Sequence, residues 1–479
     1  MVNKPAAPMT LSATHATEAA SPMRGLPLWV GIAVYALFLV AGNRLLIDPD
    51  TMWQITVGQW ILDHGTVPQT DIYSFTMRGQ PWISTQWLAQ VAYARAYAVA
   101  GWSGPVVLAA AAIAATFALL RKFLKAHLTE STVLVFVAAA LALTVPHLVA
   151  RPHVLAMPLM ALWANLHGGF VFGLVLVAPL ALDAVVNAEP ARRRSLGVAW
   201  ALFALAALAA GCCTPYGWNS ALASQKILAL GSALPLIMEW KPQDFGSVGV
   251  FEPCLLAAIG LALFRGIKLP PLRILLLLGL LHMALSQGRA AEVLALLAPL
   301  VLAAPLARQI GEPEHSAPDA ASPLRAALLA GVAVALIAAT FAFASVHRFE
   351  PNVRQSPVAA VAALKKLNLS RVFNDYDFGG YLIANGVAPF IDGRTELYGE
   401  KFFVDHNAAS GLMEPENLFR LLEQYGIEAT LLRTQSAATK LLDHVDGWQK
   451  VYADDIATIH LRTAGAVHTA EPAVNYKKR

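Results

Sequence analysis

Nine apolar stretches, each long enough to cross a bilayer, leave this chain few ways to fold in water. They fall near residues 27–46, 103–120, 130–148, 169–188, 195–213, 248–264, 272–287, 290–307 and 324–346. A run of ~20 apolar residues spans the hydrocarbon core as a helix. Backbone in lipid must satisfy its own hydrogen bonds, which only helices and closed barrels do. Hydrophobic residues make up 57% of the chain and charged ones 14%, against ~25% charged in soluble domains. The expected fold class is mostly α, a polytopic helical membrane domain of about nine spans with the lipid bilayer as its first partner.

Basic residues orient the spans, because Lys and Arg collect in short cytoplasmic loops. Arg121, Lys122 and Lys125 share one loop, and Arg192, Arg193 and Arg194 another. A third carries Arg265, Lys268 and Arg273, and Arg308 and Arg325 flank a fourth. With these four loops inside, the N-terminus is cytoplasmic. The outer side then holds the loop 47–102, the turn Arg151-Pro152-His153, the loop 214–247, the corner Gln287-Gly288-Arg289 and everything after Ser345.

Four divisions are expected: a disordered cytoplasmic tail over 1–25, the transmembrane domain over 26–346, an outer-face α/β domain over 347–465, and a disordered tail over 466–479. The first apolar run lacks a small-residue cleavage signature and reads as a retained helix. Residues 153–168 are apolar but short and broken by Asn165-Leu166-His167-Gly168-Gly169, as in a re-entrant helix. In the first outer loop, Met52, Ile55, Val57, Trp60, Ile61 and Leu62 predict a short amphipathic helix. Trp53, Trp60, Trp82, Trp87 and Trp102 fit anchoring at the membrane interface.

Beyond 350, helices are expected over 357–367, from Glu400, over 416–424 and over 436–444. Strands are expected over 371–374, 388–392, 427–432, 448–452 and 456–461. Such alternation argues a small α/β layer. The net charge of +4 with no polybasic block excludes nucleic acid as a partner. Cys212, Cys213 and Cys254 offer neither a CxxC nor a disulfide framework, and no glycine-rich phosphate loop points to a nucleotide.

The chemistry gathers on the outer side. Asp48-Pro49-Asp50 places two carboxylates at the mouth of the first span, where they are costly unless they serve a purpose. Asp50 capping a helix that begins at Thr51 is the simpler alternative. Asp71 sits in a Pro-led turn and either closes it or touches substrate. Arg151, His153, Asn165 and His167 bring a cation, two imidazoles and an amide to the broken helix. Arg289 suits a phosphate or carboxylate through its planar fork, or else pairs with Glu239 or Asp50. In the tail, Asp392 and Arg394 follow a predicted strand and either bind a sugar or close turns.

The order Asp48-Pro-Asp-Thr-x-Trp53, Gly58-x-Trp-Ile-Leu62, Pro68-x-Thr-Asp-x-Tyr-Ser-Phe75 and Trp87-Leu-Ala-Gln90 resembles bacterial integral-membrane proteins of the GT-C glycosyltransferase type. So do Asn165-Leu-His-Gly-Gly169, Pro215-Tyr-Gly217, Glu239-Trp240, Asp377-Phe-Gly-Gly-Tyr-Leu382 and Ile391-Asp-Gly-Arg394. The resemblance covers roughly residues 30–460. It implies an enzyme of the bacterial cytoplasmic (inner) membrane with a periplasmic C-terminal domain. Such an enzyme takes a sugar from a polyprenyl-phosphate donor to a glycan, lipid or protein acceptor. Asp50 or Asp48 would then be the catalytic base, and Arg151, Arg289, His153 or His167 would face the departing phosphate.

The family pattern has His where Gln54 stands and an acid where Gln86 stands, and its stretch between Arg151 and Asn165 is longer. No cofactor is firmly implied, and a divalent metal at the aspartate pair would have few ligands. A non-catalytic scaffold of an envelope polysaccharide system and a transporter with a midplane site are the rival classes.

Overall fold

The computed structural model describes residues 26–155, 160–247, 249–311 and 323–463. The tails expected over 1–25 and 466–479 lie outside the described residues. The molecule is mostly helical, and a helix stands at each of the nine apolar stretches. Five are long and apolar enough to cross a membrane: Ser103–Lys125, Glu130–His147, Pro190–Gly211, Ala290–Ile310 and Ala327–Val346. Trp29–Val40, Phe170–Val186 and Pro271–Ser286 are apolar but shorter. Large apolar side chains point outward along these helices, among them Leu202, Phe203, Phe341 and Val346. Each would cost about 1.5–3 kcal/mol to keep in water, so this exposure fits a membrane protein whose surface meets lipid.

The basic loops gather at one end of the helical body. Arg273 Nε lies 2.9 Å from Asp183 Oδ2, tying the third loop to the second. Lys268 and Gln309 exchange bonds at 2.7 and 2.6 Å, tying the third to the fourth. Arg121 is buried and held bidentately by Glu130 at 2.9 and 2.5 Å. The helix from Glu130 then runs away from that loop toward Thr144 and delivers the 147–153 segment to the opposite end.

Within the loop 47–102 the expected helix is present as Asp50–His64, joined by a second, Trp87–Ala100, that was not anticipated. The two cross closely at Gly58, where a Cβ would lie 2.0 Å from the carbonyl oxygen of Gln90. Trp53 and Trp82 sit in the protein interior with Val57, Ile61 and Tyr216. Interface anchoring is therefore wrong for these two, because they form a core under the loop.

The C-terminal sheet has four strands: β1 (Val372–Asn374), β2 (Ala429–Arg433), β3 (Trp448–Ala453) and β4 (Ala457–Arg462). Their order is β1-β2-β4-β3, with β1 and β2 parallel and the other pairs antiparallel. The helices Val358–Lys366, Pro415–Gln424 and Ala437–Leu442 fall where alternation predicted them. The strand expected over 388–392 is absent. Asn374, at the end of β1, accepts from Phe390 N–H at 2.7 Å and donates to Ile391 C=O at 2.8 Å. One side chain thus does what a ladder would do, and the segment passes without a strand. The helix expected from Glu400 is the second half of Thr395–Ser410, kinked at Gly399.

Candidate functional site

Four segments far apart in the chain meet at the end opposite the basic loops. The backbone there is tied first: Ala150 N–H donates to Leu45 C=O at 2.7 Å, and Tyr93 hydroxyl donates to Arg151 C=O at 3.0 Å. Arg151 is thereby held beneath the start of the Asp50–His64 helix. Its Nε lies 2.8 Å from Asp48 Oδ2, and its two terminal nitrogens contact Asp50 Oδ2 and Glu239 Oε1. The Nε contact is an ion pair off the line of a good hydrogen bond. Glu239 Oε2 faces Arg289 Nη1 at 3.4 Å, and the Arg289 guanidinium stacks over Trp240 at 5.1 Å. These side chains are between 11% and 30% exposed, so the cluster is half open.

The two aspartates divide their work. Asp48 Oδ1 accepts from Asp50 N–H at 2.8 Å, an Asx-type turn that leads through Pro49 into the helix. Asp50, expected as the cap in the simpler reading, lies inside the helix and accepts from Trp53 Nε1 at 2.9 Å. Burial pushes the Asp48 carboxyl up to about 6; Arg151 pulls it down and Asp50 pushes it up. Burial alone would lower Arg151, yet Asp48 and Asp50 together hold its guanidinium above the usual range.

The tail motifs close over this loop. A Cβ on Gly380 would stand 2.4 Å from Pro49 C=O, and one on Gly393 would stand 1.9 Å from Asp50 Oδ1. Only glycine permits that approach. Gly380 and Gly393 are thus packing surfaces against Pro49 and Asp50, while Gly379 packs on the backbone of Ile391 and Asp392.

Asp71, Asp392 and Arg394 come together elsewhere. Arg394 grips both oxygens of Asp392 at 2.8 and 2.7 Å and donates to Asp71 Oδ1 at 2.5 Å. Its guanidinium lies between Trp82 and Tyr73, at 4.8 and 5.2 Å. Tyr398 hydroxyl adds a bond to Asp392 at 2.6 Å, and Asp71 also takes Ser74 Oγ at 2.5 Å. Burial would raise Asp392, but Arg394 and Tyr398 hold its carboxyl below the usual range. All three charged side chains are fully buried. The substrate contact expected of Asp71, Asp392 and Arg394 has no surface here, because they spend their donors and acceptors clamping the first loop to the tail.

Asn165 is a strut: its Oδ1 accepts from Trp87 Nε1 at 2.7 Å and its Nδ2 donates to Cys213 C=O at 2.8 Å. The His153 and His167 rings meet edge to face at 6.2 Å. His153 Nε2 stands 3.8 Å from Glu292 Oε1, and both atoms are buried without a hydrogen bond. Glu292 escaped the sequence reading. Its signal was a carboxylate in the first turn of an apolar span, one turn beyond Arg289. Gln54 Nε2 donates to Gln86 Oε1 at 2.6 Å, so the two glutamines form one neutral contact.

A divalent cation of the Mg or Mn type takes oxygen ligands. Asp48, Asp50 and Glu239 are the oxygens here, and Arg151 already contacts all three. Among the described residues no three His, Cys, Asp or Glu side chains are grouped to hold a metal. The donor set does not fit such an ion.

No protein-family model matches the chain, and no curated protein does. Among solved structures it is similar to the archaeal oligosaccharyltransferase AglB from Archaeoglobus fulgidus, in complex with an inhibitory peptide and a dolichol-phosphate. The match has a TM-score of 0.43 at 10% identity, over 91% of this chain and 74% of that one.

Proposed function

We propose that the chain is a membrane glycosyltransferase that moves a sugar from a polyprenyl-phosphate donor to an acceptor at the outer face of a bacterial cytoplasmic membrane. The observation that carries this reading is the convergence of Asp48, Asp50, Arg151, Glu239 and Arg289 in one half-open cluster away from the basic loops. A hydroxyl acceptor must lose its proton as the glycosidic bond forms, which calls for a carboxylate within reach. Asp50 is assigned that part as the more exposed of the two aspartates, at 14% against 11%. The departing lipid phosphate gathers negative charge and needs fixed cations. Arg289, bound to a single carboxylate oxygen and stacked on Trp240, is the more available donor, and Arg151 holds the aspartates in place. The sequence motifs shared with GT-C transferases support the same assignment.

A non-catalytic scaffold is the second reading. It is favoured by the Gln54–Gln86 pair, which is neutral where the family pattern has a His and an acid. The two part on Asp50→Asn: sugar transfer from a radiolabelled lipid-phosphate donor should vanish while expression and insertion persist. Wild-type transfer by that variant would remove Asp50 as the base.

A further inference from the structure

We propose that Arg151 is a built-in cation that takes the place of a divalent metal among Asp48, Asp50 and Glu239, so that the native chain has no divalent-cation site there. All six carboxylate oxygens already face a donor. Asp48 Oδ1 takes Asp50 N–H, and its Oδ2 faces Arg151 Nε. Asp50 Oδ1 takes Trp53 Nε1, and its Oδ2 takes an Arg151 terminal nitrogen. Glu239 Oε1 takes the other terminal nitrogen, and Oε2 faces Arg289. A metal entering this set would displace several hydrogen bonds and come to rest beside a guanidinium, which repels it.

The charge balance agrees. Within the cluster itself, three carboxylates against Arg151 and Arg289 leave a single negative charge, and Glu292, beside Arg289, adds at most one more. Nor does a neighbouring imidazole complete a ligand set. Gln54 is turned to Gln86, and His153 faces Glu292. Arginine suits the position because its fork presents several donors in one plane and keeps its charge at any working pH. The inference stands whether or not the chain transfers sugar, since it concerns what the carboxylates hold.

The test is Mn2+ binding to the purified full chain in lipid nanodiscs, read by the electron paramagnetic resonance signal of free Mn2+. The native chain should show no saturable binding. Arg151→Ala should gain one saturable site, Arg151→Lys should not, and adding Asp50→Asn to Arg151→Ala should abolish the gain. Saturable binding of one Mn2+ by the native chain, lost in Asp50→Asn, would overturn the proposal. So would a folded Arg151→Ala that binds none, because the carboxylates would then not form the cation position. Should Arg151→Ala fail to fold, the native chain with and without Asp50→Asn still decides the matter.

Discussion

Two arginines in this molecule do similar chemistry in different surroundings. Arg394 joins Asp71 to Asp392 with no solvent exposure, whereas Arg151 joins Asp48, Asp50 and Glu239 at a rim where its own side chain is 19% exposed. The buried cluster has every partner matched and leaves no room for a ligand. Its consequence is mechanical, since it fastens a turn of the loop 47–102 to the segment after Ile391. The open cluster leaves Arg151 Nε with an ion contact and no aligned hydrogen bond, and it remains within reach of another molecule. Burial, not residue type, separates the clamp from the candidate site.

The sharpest way to break this comparison is to remove each arginine in turn. Arg394→Met leaves two carboxylates buried without a counter-charge, which should cost about 3–5 kcal/mol. Arg151→Met, at the rim, should cost less than half of that, because water can reach the stranded acids. Thermal unfolding of the two purified variants would check the order, and equal losses would show that the open cluster is structural as well.

A smaller effect is expected from Gly393→Ala, which drives a methyl group into Asp50 Oδ1. Overpacking of this kind costs about 1–3 kcal/mol. Because the displaced group is the assigned base, transfer should fall much further than stability. Parallel losses in both would place Asp50 outside the chemistry.

The smallest expected effect is a pair of opposite pH slopes. Asp392 is held below its ordinary range, so its contribution to stability is present above the unfolded-state value and is lost as pH falls through the depressed one. Asp48 is raised from 3.8 to about 6. Its contribution is therefore fully present below 3.8 and is lost as pH rises through about 6. Unfolding followed across that range should show Asp48→Asn removing a downward slope with pH and Asp392→Asn removing an upward one at the acid end. Slopes of the same sign would refute the electrostatic distinction between the clusters.

Much of the fold was legible because it is encoded locally. An apolar run long enough to cross lipid has one economical conformation, and helices stand at all nine such stretches. The alternation after 350 likewise located β1, β2, β3 and β4. The strand expected over 388–392 failed for a reason no local pattern carries, since the amide of Asn374 supplies the bonds that a ladder would. Trp53 and Trp82 misled in the same way: tryptophan suits both an interface and a core, and only packing distinguishes them.

For the site, the residue types pointed to acids and cations on one side of the helical body, and the fold brings Asp48, Asp50, Arg151, Glu239 and Arg289 together. Which acid meets which base lay beyond the sequence. Arg394 and Asp71 are 323 residues apart, and nothing near either one names the other. The sequence by itself determined where the chain is helical and that its polar chemistry is concentrated in a few segments, because hydrophobic periodicity and turn chemistry act between near neighbours. Only the tertiary structure decided that Arg151 fills the space among three carboxylates and that Arg394 is a clamp. Pairing and burial are set by contacts between distant segments, and they decide whether a charge is a strut or a reagent.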